Sequence, residues 1–239
     1  NDQMETKEEI IENNFKLDTQ KKNKKNTDVT LDFLGRYQTN IFNAGASEIV
    51  AFSSTKQRAY VVNGASKTID VLDVAVLNNP TLLFVIDITP YGNSANSIAI
   101  GSGMIAVAIE KKKLDGSQDK GVVAFFDLDG NLINSFIVGY LPDMLLFTSD
   151  NKKVLVANEG ESIKGKDPMG SISIIELSVA VDLSGSMVTG LDFMAFDSKV
   201  EALRSMGIRI FPGKLPSVDF EPEYITVDKY NSLAFVTLQ

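Results

Sequence analysis

The chain of 239 residues contains no cysteine, no histidine and no tryptophan. Without cysteine there is no disulfide and no thiolate metal site, and the redox compartment is left open. The missing histidine excludes more: a His-based triad, His-ligated zinc and an imidazole general base. Chemistry in this chain must run on carboxylates, hydroxyls, lysine, arginine or a metal held by oxygen ligands. Long apolar runs are also missing, and nothing approaches the ~20 residues that span a bilayer as a helix. Positive charge is scarce: 23 Lys and Arg stand against 31 Asp and Glu, a net charge of −8. Phosphate backbones require a basic face, so nucleic acid is not an expected partner. The basic run Lys21-Lys22-Asn23-Lys24-Lys25 falls in a polar leader and reads as a solvated tether. No Gly-x-Ser-x-Gly elbow, P-loop or dinucleotide fingerprint occurs. Ser184-Gly185-Ser186 has no candidate base near it in sequence, so a serine nucleophile is not expected.

What is present is a repeated phrase. Hydrophobic residues make up 44% of the chain, enough for a core. Residues 1–30 are rich in Asn, Lys and Glu and read as a flexible polar tether. Ordered structure is expected from about Leu31-Asp32-Phe33-Leu34 onward. Beyond it, a polar residue followed by a short apolar strand, a turn and a second apolar strand recurs four times. The copies begin at Glu48, Asn96, Asp143 and Glu223, spaced 48, 47 and 80 residues apart (96−48, 143−96, 223−143). Third strands follow as Thr68–Asp73, Val122–Asp127 and Ser171–Glu176, and outer strands as Leu82–Ile86 and Leu132–Val138. Four short strands at a period in the high forties mark a β-propeller blade. The fold expected is all-β: about three and a half to four blades, forming residues 31–239. The long third interval is read as an insertion over residues 180–220. There Asp197 caps a short helix carrying Val200, Leu203 and Met206, Gly207 stops it, and Ile208–Phe211 resumes as strand. A propeller has typically four to eight blades, so the chain is expected to be the N-terminal part of a longer propeller. Its first residue, Asn1, leaves room for a leader already removed.

Residues entering the first strand of each blade converge on one end of the central channel. Glu48, Asn96, Asp143 and Glu223 hold that position, and three carboxylates with an amide suit a hard cation such as Ca²⁺. The same residues would equally solvate a water-filled channel. A second equivalent set, Glu110, Glu159 and Gln239, closes the second strands. The run Asn158-Glu159-Gly160-Glu161 reads either as a ligand loop or as a solvated turn. Lys111-Lys112-Lys113 with Lys164 and Lys166 would offer ammonium groups to an anion, although solvent-facing lysines are the commoner meaning of such runs. Asp115-Gly116-Ser117-Gln118-Asp119 is a weak echo of a calcium loop. Glu221-Pro222-Glu223 fixes two carboxylates about a stiff proline, or else makes a rigid corner. The metal-ligand candidates are therefore Glu48, Asp143, Glu159, Glu161 and Glu223.

The motifs Leu34-Gly35-Arg36-Tyr37, Ala46-Ser47-Glu48-Ile49-Val50-Ala51 and Gly121–Asp127 appear in order. Leu141-Pro142-Asp143-Met144, Val154–Glu161, Gly207–Phe211 and Asp219–Ile225 follow them. Taken together, the set resembles the choice-of-anchor I family of bacterial surface and secreted proteins, over residues 31–239. The resemblance implies an extracytoplasmic propeller (secreted, periplasmic or surface-anchored) joined to varied anchors. It also implies further blades of the same protein as the first partner. Some relatives are described as atypical alkaline phosphatases and animal relatives as mesenchyme-specific cell-surface glycoproteins. No catalytic residue carries over. Two functions follow as expectations: surface binding or scaffolding with associated Ca²⁺, or a metal-dependent phosphoesterase acting on a phosphoester.

Overall fold

A computed structural model describes residues 31–239, and the tether expected over residues 1–30 lies outside them. Residues 31–49 carry no helix or strand, and the first strand begins at Val50. Three four-stranded antiparallel sheets follow, each in simple sequence order. Blade 1 is β1 (Val50–Ser53), β2 (Arg58–Asn63), β3 (Thr68–Asp73) and β4 (Thr81–Asp87). Blade 2 is β5 (Ser94–Gly101), β6 (Met104–Lys112), β7 (Gln118–Asp127) and β8 (Leu132–Tyr140). Blade 3 is β9 (Pro142–Phe147), β10 (Lys153–Asn158), β11 (Ser171–Glu176) and β12 (Met187–Asp192). A final hairpin, β13 (Pro222–Val227) with β14 (Ala234–Leu238), supplies half of a fourth blade. The first strands of successive blades lie against one another, β1 on β5, β5 on β9 and β9 on β13.

Strand alternation explains the near-continuous apolar runs. Successive side chains leave opposite faces of a strand, and a blade between two others is covered on both. In β7, Val122, Ala124 and Phe126 enter the core shared with blade 1. Val123 and Phe125 enter the core shared with blade 3. β10 divides likewise: Val154 and Val156 face blade 2, while Leu155 and Ala157 face the last hairpin beside Ile225. Aromatic rings fill the blade 2–blade 3 layer, with Phe125 edge-on to Phe136 at 5.8 Å and to Phe147 at 6.4 Å. Polar ties cross the layers as well. Tyr60 in β2 is fully buried, and its hydroxyl donates to the Leu128 carbonyl of the β7–β8 hairpin at 2.8 Å. In that hairpin the Asp127 carboxylate accepts from the backbone of Asp129 and Asn131, and Gly130 turns with φ 89°.

The long third interval departs from expectation in three respects. Residues 187–192, expected inside a loop insertion, form β12, paired with β11 over six residues. The added segment therefore starts after Asp192. Asp197 does not cap a helix: it lies in a 3₁₀ stretch, Met194–Lys199, and accepts from the backbone and hydroxyl of Ser217. The helix α1 (Val200–Ser205) buries Leu203, but Met206 points outward at 76% exposure. Ile208–Phe211 is not a strand. With no strand beside it, its backbone is satisfied by turn contacts, the Ile208 amide donating to the Leu203 carbonyl and the Phe211 carbonyl accepting from the Lys214 amide, and by side chains. Arg204 donates to the carbonyls of Ile210 and Phe211, and the Phe211 amide donates to Asp219 in α2 (Pro216–Asp219). Leu203, Ile210 and Phe220 form a small core of their own, with Phe193 and Phe220 edge to face at 5.5 Å.

Candidate functional site

The polar residues that open the four copies share one backbone device. In β5, Ala95 pairs with Ile109 and Ser97 with Ala108, leaving Asn96 as the extra residue of a β-bulge. Asp143 is skipped in the same way between Pro142–Asn158 and Met144–Ala157. Glu223 is skipped between Pro222–Leu238 and Tyr224–Thr237. Before β1, Val62 answers two residues, accepting from the Glu48 amide and donating to the Ile49 carbonyl. A bulge bends its strand and re-aims the extra side chain. The spacing in sequence therefore corresponds to one repeated structural position.

The four residues do not act alike there. Asn96 is a strut between blades, its Nδ2 donating to the Pro142 carbonyl at 3.1 Å. Glu48 lies over the chain at Gly45, where a Cβ would stand 2.7 Å from its Oε1. Asp143 and Glu223 instead join the end of β10. The Glu159 amide donates to the Leu141 carbonyl, which holds Glu159 beside the Asp143 bulge. Gly160 follows with φ 70°, and a Cβ there would meet the Met169 carbonyl carbon at 2.8 Å, so only glycine lets the chain pass.

Electrostatics show which carboxylates meet. Burial raises the Asp143 carboxyl above the ordinary carboxylate range, and the Glu223 charge adds to it. Glu159 is pushed up to about 7, first by burial and then by Asp143, Glu161, Glu221 and Glu223. Glu221 is raised by burial, Glu161 and Asp219, partly offset by Lys214 and Arg209. Blade 3 and the last hairpin thus bring together four of the expected ligands, Asp143, Glu159, Glu161 and Glu223. Glu221 joins them; its place on the far side of Pro222 was visible in sequence, but its convergence was not. Glu48 is not among the charges acting on Asp143 or Glu159. Among the described residues, no three acidic side chains are gathered closely enough to hold a metal ion.

The other sequence candidates are engaged elsewhere. Glu110 is 8% exposed and pairs with Lys112 at 2.9 Å. Lys164 donates to the Asp115 carbonyl, and Lys166 bonds the Asp115 carboxylate and Ser117 Oγ. These lysines stitch the β6–β7 loop to the β10–β11 loop. Asp115, in the stretch that echoed a calcium loop, is filled by Lys166 and Ser117, which hold its carboxyl well below the usual range.

The sequence profile of the choice-of-anchor I domain matches residues 48–239. The chain belongs to the choice-of-anchor I family. Choice-of-anchor domains are typically parts of extracellular or surface proteins. No curated protein matches this member in sequence. Among solved structures it is similar to the Myceliophteria thermophila Cps50 (Swd1) β-propeller domain, with 9% identity and a TM-score of 0.50. That match covers 81% of this chain and 49% of the other. It also matches Kuenenia stuttgartiensis hydrazine synthase, with 14% identity, a TM-score of 0.36, and 80% and 61% of the two chains covered. A Lactobacillus plantarum protein gives 14% identity, a TM-score of 0.43, and 81% and 50% coverage. The choice-of-anchor I chain thus spans about half to three-fifths of the length of these structures. At such identities the first likeness shows the propeller fold alone. Among the described residues no helix is long and apolar enough to cross a membrane.

Proposed function

We propose that this choice-of-anchor I domain is an extracytoplasmic binding propeller, secreted, periplasmic or surface-anchored. Its ligand end is the acidic cluster of Asp143, Glu159, Glu161, Glu221 and Glu223. One observation carries the reading: bulges at equivalent positions place Asp143 and Glu223 beside the end of β10, where burial and then neighbouring carboxylates raise the pKa of Asp143, Glu159 and Glu221 at a cost in stability. Groups held against their own charge are commoner at functional sites than elsewhere. The cluster's donors are all oxygens, the chemistry that suits Ca²⁺. As placed they do not close a cage, so the reading is of a site that a cation completes, with Glu48 outside it.

The same proposal covers the exposed apolar faces. β6 and β10 are largely buried between neighbouring strands, whereas the equivalent β14 leaves Phe235 58% and Leu238 43% exposed. In blade 1, Val50 and Phe52 are 61% and 55% exposed. Further blades of the same protein are the occupants that fit these faces, because each internal blade layer here is closed by the same alternating apolar strands. A second reading, a metal-dependent phosphoesterase, draws on one feature. A carboxyl titrating near 7 suits general acid–base work at neutral pH. There Glu159 would take the proton from an attacking water, and Asp143, Glu161 and Glu223 would hold the cation that polarises the phosphoryl oxygen.

Thermal melting at pH 8 with Ca²⁺ or chelator, run beside phosphomonoester turnover, tests both. Ca²⁺ at about 100 times its Kd stabilises by about 2.7 kcal/mol, which raises Tm by roughly 5–10 °C in a chain of this size. Asp143→Asn should shrink that rise. A melting curve indifferent to Ca²⁺ and chelator would remove the cation. Turnover abolished by chelator and by Asp143→Asn would replace scaffolding with catalysis.

A further inference from the structure

Each later blade is entered from an outer strand of the blade before it: β4 leads into β5, and β8 leads into β9. Two contacts hold β8 against blade 3. Near its start, Asn134 Nδ2 donates to the Asp182 carbonyl in the β11–β12 loop. At its end, the Tyr140 carbonyl accepts from the Gly160 amide, just past β10. The segment that leads into β1 is held against blade 1 in the same two places. Gly35 lies on the β3–β4 loop, where a Cβ would stand 2.8 Å from the Asn78 Cα. The Gly45 carbonyl accepts from the Ala65 amide, just past β2. Donor and acceptor are 20 residues apart in both blades (160−140 and 65−45). Gly35 to Gly45 is ten steps where Asn134 to Tyr140 is six (45−35 and 140−134). The excess is taken up where Asn40 and Asn43 turn, with φ 59° and 54°. Before that turn Gly35, Tyr37 and Thr39 are partly covered while Arg36, Gln38 and Asn40 are exposed, the period of a strand.

We propose that Gly35–Gly45 is the outer strand of the blade that closes the ring on blade 1. That blade is composite: its three inner strands come from the further blades of the same protein, so the inference rests on the reading that such blades exist. β4 and β8 each pair along one edge with the third strand of their own blade. Gly35–Gly45 holds the matching place with no third strand beside it. Among the described residues, no backbone hydrogen bond forms at Gly35 to Asn40, and the Ile41 amide donates only to Thr39 Oγ1. Backbone groups left in that state form a ready edge for strand addition. Ile41 and Phe42, 41% and 95% exposed, add apolar surface for the incoming sheet to cover. A closing blade with four strands of its own is disfavoured, because its outer strand would need the place this segment already fills. A three-stranded sheet fits instead, since its bare edge and this one satisfy each other. Closure then holds by main-chain hydrogen bonds between the beginning and the end of the ring. The acidic cluster takes no part in it.

The test is amide hydrogen exchange, read by mass spectrometry, on the 239-residue chain and on the protein that carries its further blades. Amides of Gly35 to Thr39 should exchange at nearly the free rate in the first and about a hundredfold more slowly in the second. The outer-edge amides of β14 are the internal control, because any blade that follows protects them. Protection gained at β14 but not at Gly35–Thr39 would overturn this proposal and leave the further blades standing. Protection gained at neither would overturn both readings. Protection of Gly35–Thr39 in the 239-residue chain that grows with its concentration would assign the edge to a second copy, and would overturn the proposal as well. Gly35→Ala gives a second readout, since its methyl group meets the backbone at Leu77 and Asn78 and pushes the segment off blade 1. In the longer protein this variant should speed exchange at Gly35–Thr39 by about tenfold or more and leave β14 unchanged. Exchange at Gly35–Thr39 untouched by the variant would overturn the placement.

Discussion

Replacing Glu159 by glutamine should stabilise the protein above neutral pH and flatten its stability–pH curve. Glu159 titrates at about 7 instead of the ordinary 4.5, through burial and four neighbouring carboxylates. At 1.36 kcal/mol per pH unit that difference has a ceiling of about 3.4 kcal/mol. The side chain keeps part of its hydration, and solvent screening reduces the figure to about 1.5 kcal/mol. The sign follows from proton counting. Between pH 4.5 and 7 the folded protein keeps a proton that the unfolded chain has released, so stability falls as pH rises. The contribution is fully present below the unfolded value and is lost as pH passes through about 7. At pH 8 Glu159 is ionised in both states and the fold carries the repulsion; Glu159→Gln removes the charge and keeps the shape. The expected gain is roughly 3–6 °C in Tm at pH 8, with little difference at pH 4. Circular-dichroism melts of both proteins at several pH values measure it. A variant that melts at or below the parent at pH 8, or curves of equal slope, would refute the convergence of these carboxylates.

Two further substitutions probe the layers between blades. Phe125→Ala empties the centre of the blade 2–blade 3 core, where Phe125 is fully buried between Phe136 and Phe147. Urea unfolding should show a loss of about 3–5 kcal/mol, and a loss below 1 kcal/mol would mean the layer is not packed as described. Tyr60→Phe deletes the hydroxyl that ties blade 1 to the Leu128 carbonyl. Arg58 still donates to that carbonyl at 2.9 Å, so the cost should fall near the low end of about 0.5–1.5 kcal/mol. A larger loss by the same measurement would show that Arg58 does not compensate.

The parts legible in sequence were those set by local pattern. Val122–Asp127 and Val154–Asn158 announce themselves because a blade covered on both faces needs an apolar residue at nearly every step. β12 did not, because Met187–Asp192 is exposed throughout and carries Gly190, so no buried face marks it. Only its pairing with β11 makes it a strand. Ile208–Phe211 misled in the opposite direction. Its side chains suit a strand, but the backbone has no neighbour to pair with and Arg204 takes its carbonyls instead. Among site residues, the repeat located Asn96, Asp143 and Glu223 at equivalent positions, since one skipped residue per blade recurs with the blade. It could not say that Asn96 is a strut, that Glu48 lies over Gly45, or that Glu221 would join the cluster.

By itself, then, the sequence determined the blade repeat, the polar position that opens each blade, the family, and the exclusion of cysteine and histidine chemistry. These follow from residue identity and from periods of two and of about forty-eight along the chain. Tertiary structure alone decided which carboxylates share a field, which lysines merely stitch loops together, and that Gly35–Gly45 takes an outer strand's place beside blade 1. Those outcomes depend on distances between residues from different blades, which no spacing along one strand encodes.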